Sequence, residues 1–190
     1  MRKVKLQMQM SVDGFVGRPN GDLDWIIWQW DDPLKNYVTD LMNSIDLIII
    51  GRKLAEGFIP YWEEAAANSS HPEYTGAQKL AGTPKLVFSN TLEKSPWKNA
   101  KIAKHNVVDE IVELRTQAGK DIIVYGGADF VSNLVKENLI DEYHLFINPS
   151  AIGEGLSIFN SVNQRKNLNL EKVTAFNCGI VVIMYKPISA

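Results

Sequence analysis

Cysteine is almost absent: Cys178 is the single one in 190 residues. An internal disulfide and a cysteine-based zinc site are thereby excluded. Histidine is nearly as scarce, and His71, His105 and His144 are scattered, so no metal site is expected. No apolar run approaches the roughly 20 residues that a membrane-spanning helix needs. The opening MRKVKLQMQM is charged and alternating, unlike the apolar stretch of a secretory leader. A surplus of one charge is lacking too. A net charge of −2 gives no basic field to recruit nucleic acid. These absences leave the cytoplasm as the expected location, with no membrane and no nucleic acid as partner. Repeats, low-complexity tracts and linkers are also missing. One domain over 1–190 is expected, a length that suits a sizeable core.

Hydrophobic patterning supplies the elements. VKLQMQM (4–10) alternates, with Val4, Leu6, Met8 and Met10 on one side and Lys5, Gln7 and Gln9 on the other, as in a strand. SVDGFVGRPNGDLDW (11–25) is a loop rich in Gly and Asp. In DDPLKNYVTDLMNSI, Asp32 is placed to cap a helix and Pro33 to open it. Leu34, Tyr37, Val38, Leu41 and Ile45 then line one face. DLIIIG reads as a buried strand, with a helix beginning at RKLAEGF. Residues 59–83 are less regular, a surface loop with a short helix over 76–81. PKLVFSN is a strand, AKIAK a weak one, and NVVDEIVELRTQAG a helix capped by Asn106. IDEYHLFIN is a strand, and EKVTAFNCGIVVIMYKP a hairpin turning near Asn177-Cys178-Gly179. The expected fold is α/β: a three-layer sandwich whose mostly parallel central sheet carries helices on both faces and ends in an antiparallel hairpin.

Chemistry concentrates where strands end. In DIIVYGGADFVSNLVKENL (121–139) a buried strand turns into a helix through Gly126 and Gly127. Glycine permits positive φ and close approach of another group. The helix N-terminus behind it attracts anions. A tight turn alone would explain the pair equally well. The other strand ends carry Gln9, Ser11 and Asp13-Gly14, then Gly51-Arg52-Lys53, then Ser89-Asn90-Thr91. Glycines, cations and small hydroxyls together suit a ligand with several phosphates. A P-loop and a GxGxxG fingerprint are both missing. Each position has a plain structural reading as well: solvated charge for Arg52-Lys53, turn chemistry for Ser89-Asn90 and Asp13-Gly14, core cover for Trp25, Trp28 and Trp30. Gln7 and Gln9 would face a covered side of the sheet, where an amide needs partners.

SVDGFVG…GDLDW, DLIIIGRK, PKLVFSNTLE and IIVYGGADFVSNLVKENLIDEYHLFINPSAIGEGLSIF resemble the dihydrofolate reductase-like family. They are closest to its bacterial branch that includes the reductase domain of riboflavin biosynthesis. The resemblance spans nearly the whole chain and is most specific over 122–159. It implies an NADPH-dependent reductase. In such proteins the Gly-Gly turn and the following helix hold the dinucleotide pyrophosphate, which assigns Gly126, Gly127, Ala128, Asp129 and Phe130 to it. Arg52, behind Gly51, is assigned to the adenosine 2′-phosphate, with Lys53, Ser89 and Asn90 beside it. A guanidinium fork and hydroxyl donors suit a dianionic phosphate. Leu54 follows on the cofactor side, where riboflavin-pathway reductases usually carry Thr. Gln9 matches the position beside the nicotinamide amide, and Trp25 a cofactor-side tryptophan. The 13–24 loop corresponds to a flap that closes over the nicotinamide.

Two departures bear on the substrate. Folate reductases carry an acid in the first turn of the helix after this loop, which here reads Pro33-Leu34-Lys35. The riboflavin-pathway reductases usually carry Glu before Gly-Gly, which here is Tyr125. The leading expectation is hydride transfer to a small heterocyclic or carbonyl substrate, with a riboflavin-pathway pyrimidine among the candidates. The alternatives are dihydrofolate reductase proper, a non-catalytic NADPH-binding module, and a scaffold that has lost the cofactor. Asp13, Tyr125 and an ordered water are the candidate proton sources. The resemblance also implies a homodimer joined through the C-terminal strands.

Overall fold

The computed structural model describes residues 1–188. Six strands run parallel: β1 (Val4–Met10), β2 (Ile45–Gly51), β3 (Lys85–Phe88), β4 (Ala100–Ile102), β5 (Asp121–Tyr125) and β6 (Glu142–Ile147). Two antiparallel strands, β7 (Leu168–Ala175) and β8 (Val181–Pro187), complete an eight-stranded sheet. The order across it is β4-β3-β2-β5-β1-β6-β8-β7. Five helices accompany the strands: α1 (Asp32–Asn43), α2 (Arg52–Ala67), α3 (Tyr74–Gly82), α4 (Val107–Thr116) and α5 (Ala128–Lys136). The expected α/β sandwich with a closing hairpin is the observed fold.

Two buried clusters separate the layers. On one face Leu41 and Met42 of α1 and Ala55 and Ile59 of α2 pack on Ile48, Ile50 and Ile123. On the other, Ile111 of α4 and Val131 and Leu134 of α5 join Val4, Leu6, Ile122 and Val124. Crossover handedness explains the split. The chain steps one way across the sheet from β1 to β2, and the opposite way from β5 to β6. Right-handed crossovers in opposite directions put their helices on opposite faces. So α2 and α5, which follow the neighbouring strands β2 and β5, diverge. A crevice opens between them at the C-terminal edge, where sheets of this kind hold ligands.

Several boundaries differ from the sequence reading. Asp31, not Asp32, caps α1, accepting from the Leu34 N–H at 2.9 Å. Two successive aspartates offer the same capping chemistry, so pattern could not choose between them. Ile45 begins β2 rather than ending α1. The region read as irregular holds the rest of α2, with Pro60 inside it, while the short helix expected over 76–81 is present as the slightly longer α3. Burial of Ile59 and Ala65 holds α2 together across the proline, where one backbone hydrogen bond is lost. β7 starts earlier than expected, at Leu168.

Candidate functional site

The site begins with two helix N-termini. α2 starts immediately after β2, and its N-cap, Gly51, supplies no side-chain cap. α5 starts one turn of chain after β5, and its N-cap, Gly127, supplies none either. α1 and α4, by contrast, are capped by Asp31 and by Asn106, whose Oδ1 accepts from Val108 and Asp109. The amides at the start of α2 and α5 are thus left for other acceptors.

The glycine pair divides its work. Neither glycine is at positive φ; Gly127 has φ −72° and ψ 171°. Gly126 is needed for space: a Cβ there would stand 2.6 Å from Cδ1 of Phe130. The same ring lies 3.2 Å from a Cβ built on Gly51 and packs on Phe88 with centroids 5.4 Å apart. Phe130 therefore wedges between the ends of β2 and β5. Gly127 is different, being exposed with nothing within 4 Å of a built Cβ. Its backbone is open to a guest. Ala128 is buried, while Asp129 is exposed and puts an acid in the first turn of α5.

Arg52 is the first residue of α2, and its guanidinium meets Glu56 at 2.5 Å across one helical turn. Lys53 is exposed and Leu54 half-buried. Ser89 sits just past β3, where its Oγ accepts from the N–H groups of Thr91 and Leu92 at 3.1 and 2.9 Å. That is turn chemistry, though the hydroxyl proton stays free to donate. Asn90 is exposed beside it.

Beyond β1, the loop base is stapled. Asp13 accepts from the Ile152 and Gly153 N–H groups and from the Ser11 hydroxyl, at 3.0, 2.7 and 2.6 Å. The Ser11 hydroxyl, then the Gly153 amide, hold its carboxyl below the ordinary range. Val12 donates to Ser150, and Gly17 and Leu156 form a bridge. Only residues 18–24 of the expected flap project freely, held by an Arg18–Asp24 pair. Trp25 is buried, and its indole N–H has no partner among the described residues. Trp28 is exposed and so covers no core, whereas Trp30 packs on Phe146.

The sheet face under α1 is polar. Tyr125 donates to Oε1 of Gln7 at 2.7 Å, and its ring packs on Phe58. Burial pushes the phenol up, so it stays protonated. Gln9 accepts from Nδ2 of Asn148 at 2.8 Å. The Tyr37 hydroxyl and Nδ1 of His144 lie 2.6 Å apart. The phenol of Tyr37 is pushed up to about 12 by burial and then by the charge of Glu142. The sequence reading missed Asn148, Tyr37 and His144 as a polar layer. For Asn148 the signal was a lone polar residue ending the apolar run FIN.

A separate depression of about 370 Å3 lies at the opposite end of the sheet, lined by Ile45, Asp46, Lys79, Thr83 and Lys120. Its charges are engaged within the chain, Asp46 with Arg2 and Lys120 with the Asn43 carbonyl. It offers no unpaired helix end. Among the described residues no group of His, Cys, Asp and Glu is placed to hold a metal, and no helix is long and apolar enough to cross a membrane.

Known proteins resemble this chain in sequence or in fold. The uncharacterised Bacillus subtilis (strain 168) protein YyaP is 34% identical over 187 residues, covering 97% of this chain and 94% of its own. The riboflavin biosynthesis protein RibD of Corynebacterium ammoniagenes is 24% identical over 156 residues, 82% of this chain and 45% of its own. The Thermotoga maritima diaminohydroxyphosphoribosylaminopyrimidine deaminase/5-amino-6-(5-phosphoribosylamino)uracil reductase superposes with a TM-score of 0.67 at 17% identity. That match covers 98% of this chain and 57% of the Thermotoga one, and at such identity it speaks for the fold. Residues 2–182 match the RibD C-terminal domain, and the chain belongs to that family.

Proposed function

We propose that the chain is an NADPH-dependent reductase of a small heterocyclic or carbonyl substrate. The single observation that carries this reading is the convergence of two uncapped helix N-termini at the β2–β5 crevice, with Arg52 on one of them. One end suits a pyrophosphate and the other a 2′-phosphate. Gly127 leaves the backbone open for close approach. Glu56 holds Arg52 in place until a phosphate competes for it.

The bound nicotinamide would supply the hydride; the chain supplies position, dryness and a proton path. Tyr125 packs on Phe58 and donates to Gln7, two residues before Gln9 on the same face of β1. Residues 18–24 and Trp25 are placed to exclude water from above. Asp13 is ionised and spent on the loop 152–153, so we assign it a stapling role. Tyr125 keeps its proton for Gln7, which leaves water as the proton donor in this reading. The substrate we favour is a pyrimidine of the kind named for the Thermotoga protein.

A homodimer forms part of the proposal. Leu170 and Val173 of the edge strand β7 are each 53% exposed. An irregularity between Leu170 and Lys172 keeps them in phase, opposite Tyr185 and Ile183. The result is an apolar sheet face that lacks a helix. Light scattering of the purified protein and of a Leu170→Glu/Val173→Glu variant tests it; a monomeric parent rejects it.

Titration with NADPH and NADH, followed by tryptophan fluorescence, tests the main reading. Tight binding of NADPH, with loss of absorbance of the reduced nicotinamide when a pyrimidine substrate is added, supports it. Binding without turnover points to the non-catalytic module. Binding of neither nucleotide rejects the proposal.

A further inference from the structure

The amide groups at the end of β1 have a polarity that hydrogen bonding settles. A carboxamide can be turned either way, so its orientation must be read from fixed partners. Asn148 is fully buried just past β6. The backbone N–H of Ile27 can only donate, and it points at Oδ1 of Asn148 at 2.9 Å. The carbonyl of Phe146 can only accept, and it faces Nδ2 at 3.2 Å. Both ends of Asn148 are therefore assigned independently. Nδ2 reaches Gln9 at 2.8 Å, so the Gln9 atom there must be the oxygen. Its Nε2 is then the end turned away. Gln9 is half-buried, and among the described residues Nε2 has no partner and is not a buried orphan atom.

Gln9 stands on the same face as Gln7, one step nearer the strand end, beside the crevice. We propose that Asn148 is a positioning residue that fixes Gln9 as a hydrogen-bond donor, so that this wall selects a carbonyl oxygen on the ligand. The inference rests on the reductase reading for the identity of that ligand. A carboxamide on the cofactor and a lactam carbonyl on a pyrimidine present the same acceptor. A ligand with a donor there meets N–H against N–H and is rejected. The Ile27 contact adds a second function: the segment leaving the 11–25 loop is tied to the residue that orients Gln9.

Two variants reverse the wall without removing it. Asn148→Asp keeps an acceptor for Ile27 but repels the Gln9 oxygen, so Gln9 must rotate and turn its oxygen outward. Gln9→Glu keeps the bond from Asn148 and presents a carboxylate oxygen to the ligand. Side-chain amide exchange by 15N NMR reads the polarity in the free protein. Protected Asn148 and freely exchanging Gln9 amides are expected, with Gln9 becoming protected in Asn148→Asp. A protected Gln9 amide in the parent protein overturns the proposal, whether or not any nucleotide binds. Affinities for NADPH, for adenosine 2′,5′-bisphosphate, and for 5,6-diaminouracil on the NADP+-saturated protein locate the carbonyl. A loss of about tenfold or more for NADPH, with the bisphosphate unchanged, assigns it to the cofactor. The same loss confined to diaminouracil assigns it to the substrate. Unchanged binding of both, or an equal loss for the bisphosphate, overturns the proposal. Failure of the parent protein to bind NADPH at all rejects the reductase reading instead, and the exchange pattern still scores this one.

Discussion

The two edges of the parallel sheet differ in how far their polar groups are answered from within. Where the strands begin, charges are answered from within. Arg2 pairs with Asp46, Lys3 and Lys5 with Glu142, Lys5 also with Asp121, and Arg115 with Asp141. Buried Lys85 donates to three carbonyls around the end of α3, at 2.7 to 2.9 Å. Where the strands end, groups are left without partners. Helices α2 and α5 start without side-chain caps, Gly127 is bare, and the nitrogens of Trp25 and Gln9 find no acceptor among the described residues. Unmet hydrogen-bonding capacity costs stability unless a ligand or water answers it. The edge where the strands begin is thus mostly self-paired, with Arg115 Nε as a buried exception, and the edge where the strands end carries the groups that the proposed ligand would meet. The 370 Å3 depression lies at the self-paired edge, away from the proposed site.

Substitutions at the two edges should separate stability from binding. The largest stability effect is expected at Glu142, whose side chain is 6% exposed and answers two lysines. Glu142→Ala should cost about 2–3 kcal/mol in urea unfolding, because it removes a buried, charge-assisted partner of Lys3 and Lys5, while Lys5 keeps Asp121. Nucleotide affinity should not change. His144, with help from Lys3 and Lys5, holds this carboxyl at about 2 against an ordinary 4.5. The stability it contributes is complete above pH 4.5 and is lost as pH falls toward 2. An acid titration of unfolding should show that loss, and the variant should lack this component.

Next comes the glycine pair. Gly126→Ala should destabilise by about 1–3 kcal/mol, because Phe130 must shift. Gly127→Ala should leave the melting temperature unchanged, its backbone being ordinary and its surroundings open. Equal effects of the two would erase the division between packing glycine and ligand-facing glycine. Arg52→Ala should weaken NADPH binding by about 10- to 100-fold, the worth of a charged hydrogen-bonded contact, without moving the melting temperature or NADH affinity. The smallest effect is expected from Glu56→Gln, which frees Arg52 from its exposed pair. Such pairs are weak, so NADPH should bind only about two- to fivefold tighter.

The fold was largely legible because its signals are local. Strong strand runs such as DLIIIG, the Asn106 cap and the Gly179 turn, at φ +94°, each act within a few residues. Errors arose where local signals conflict. Residues 59–83 read as irregular, yet burial of Ile59 and Ala65 kept α2 whole through Pro60. Asp31 and Asp32 are chemically equal caps, and only the direction of approach picked one. The site was legible as a set of strand ends but not as roles. Nothing in the sequence says that Phe130 folds back over Gly126, that Ser89 spends its oxygen on its own turn, or that Asp13 staples a loop 139 residues away.

Periodicity and turn chemistry by themselves determined the α/β layering, the parallel sheet and the concentration of glycines, cations and hydroxyls at strand ends. Those properties follow from interactions between residues a few positions apart. Tertiary structure alone decided which amides remain unpaired and which way Gln9 faces. Those depend on partners more than a hundred residues distant, Asn148 for Gln9 and Tyr125 for Gln7, brought together only when the strands take their places in the sheet.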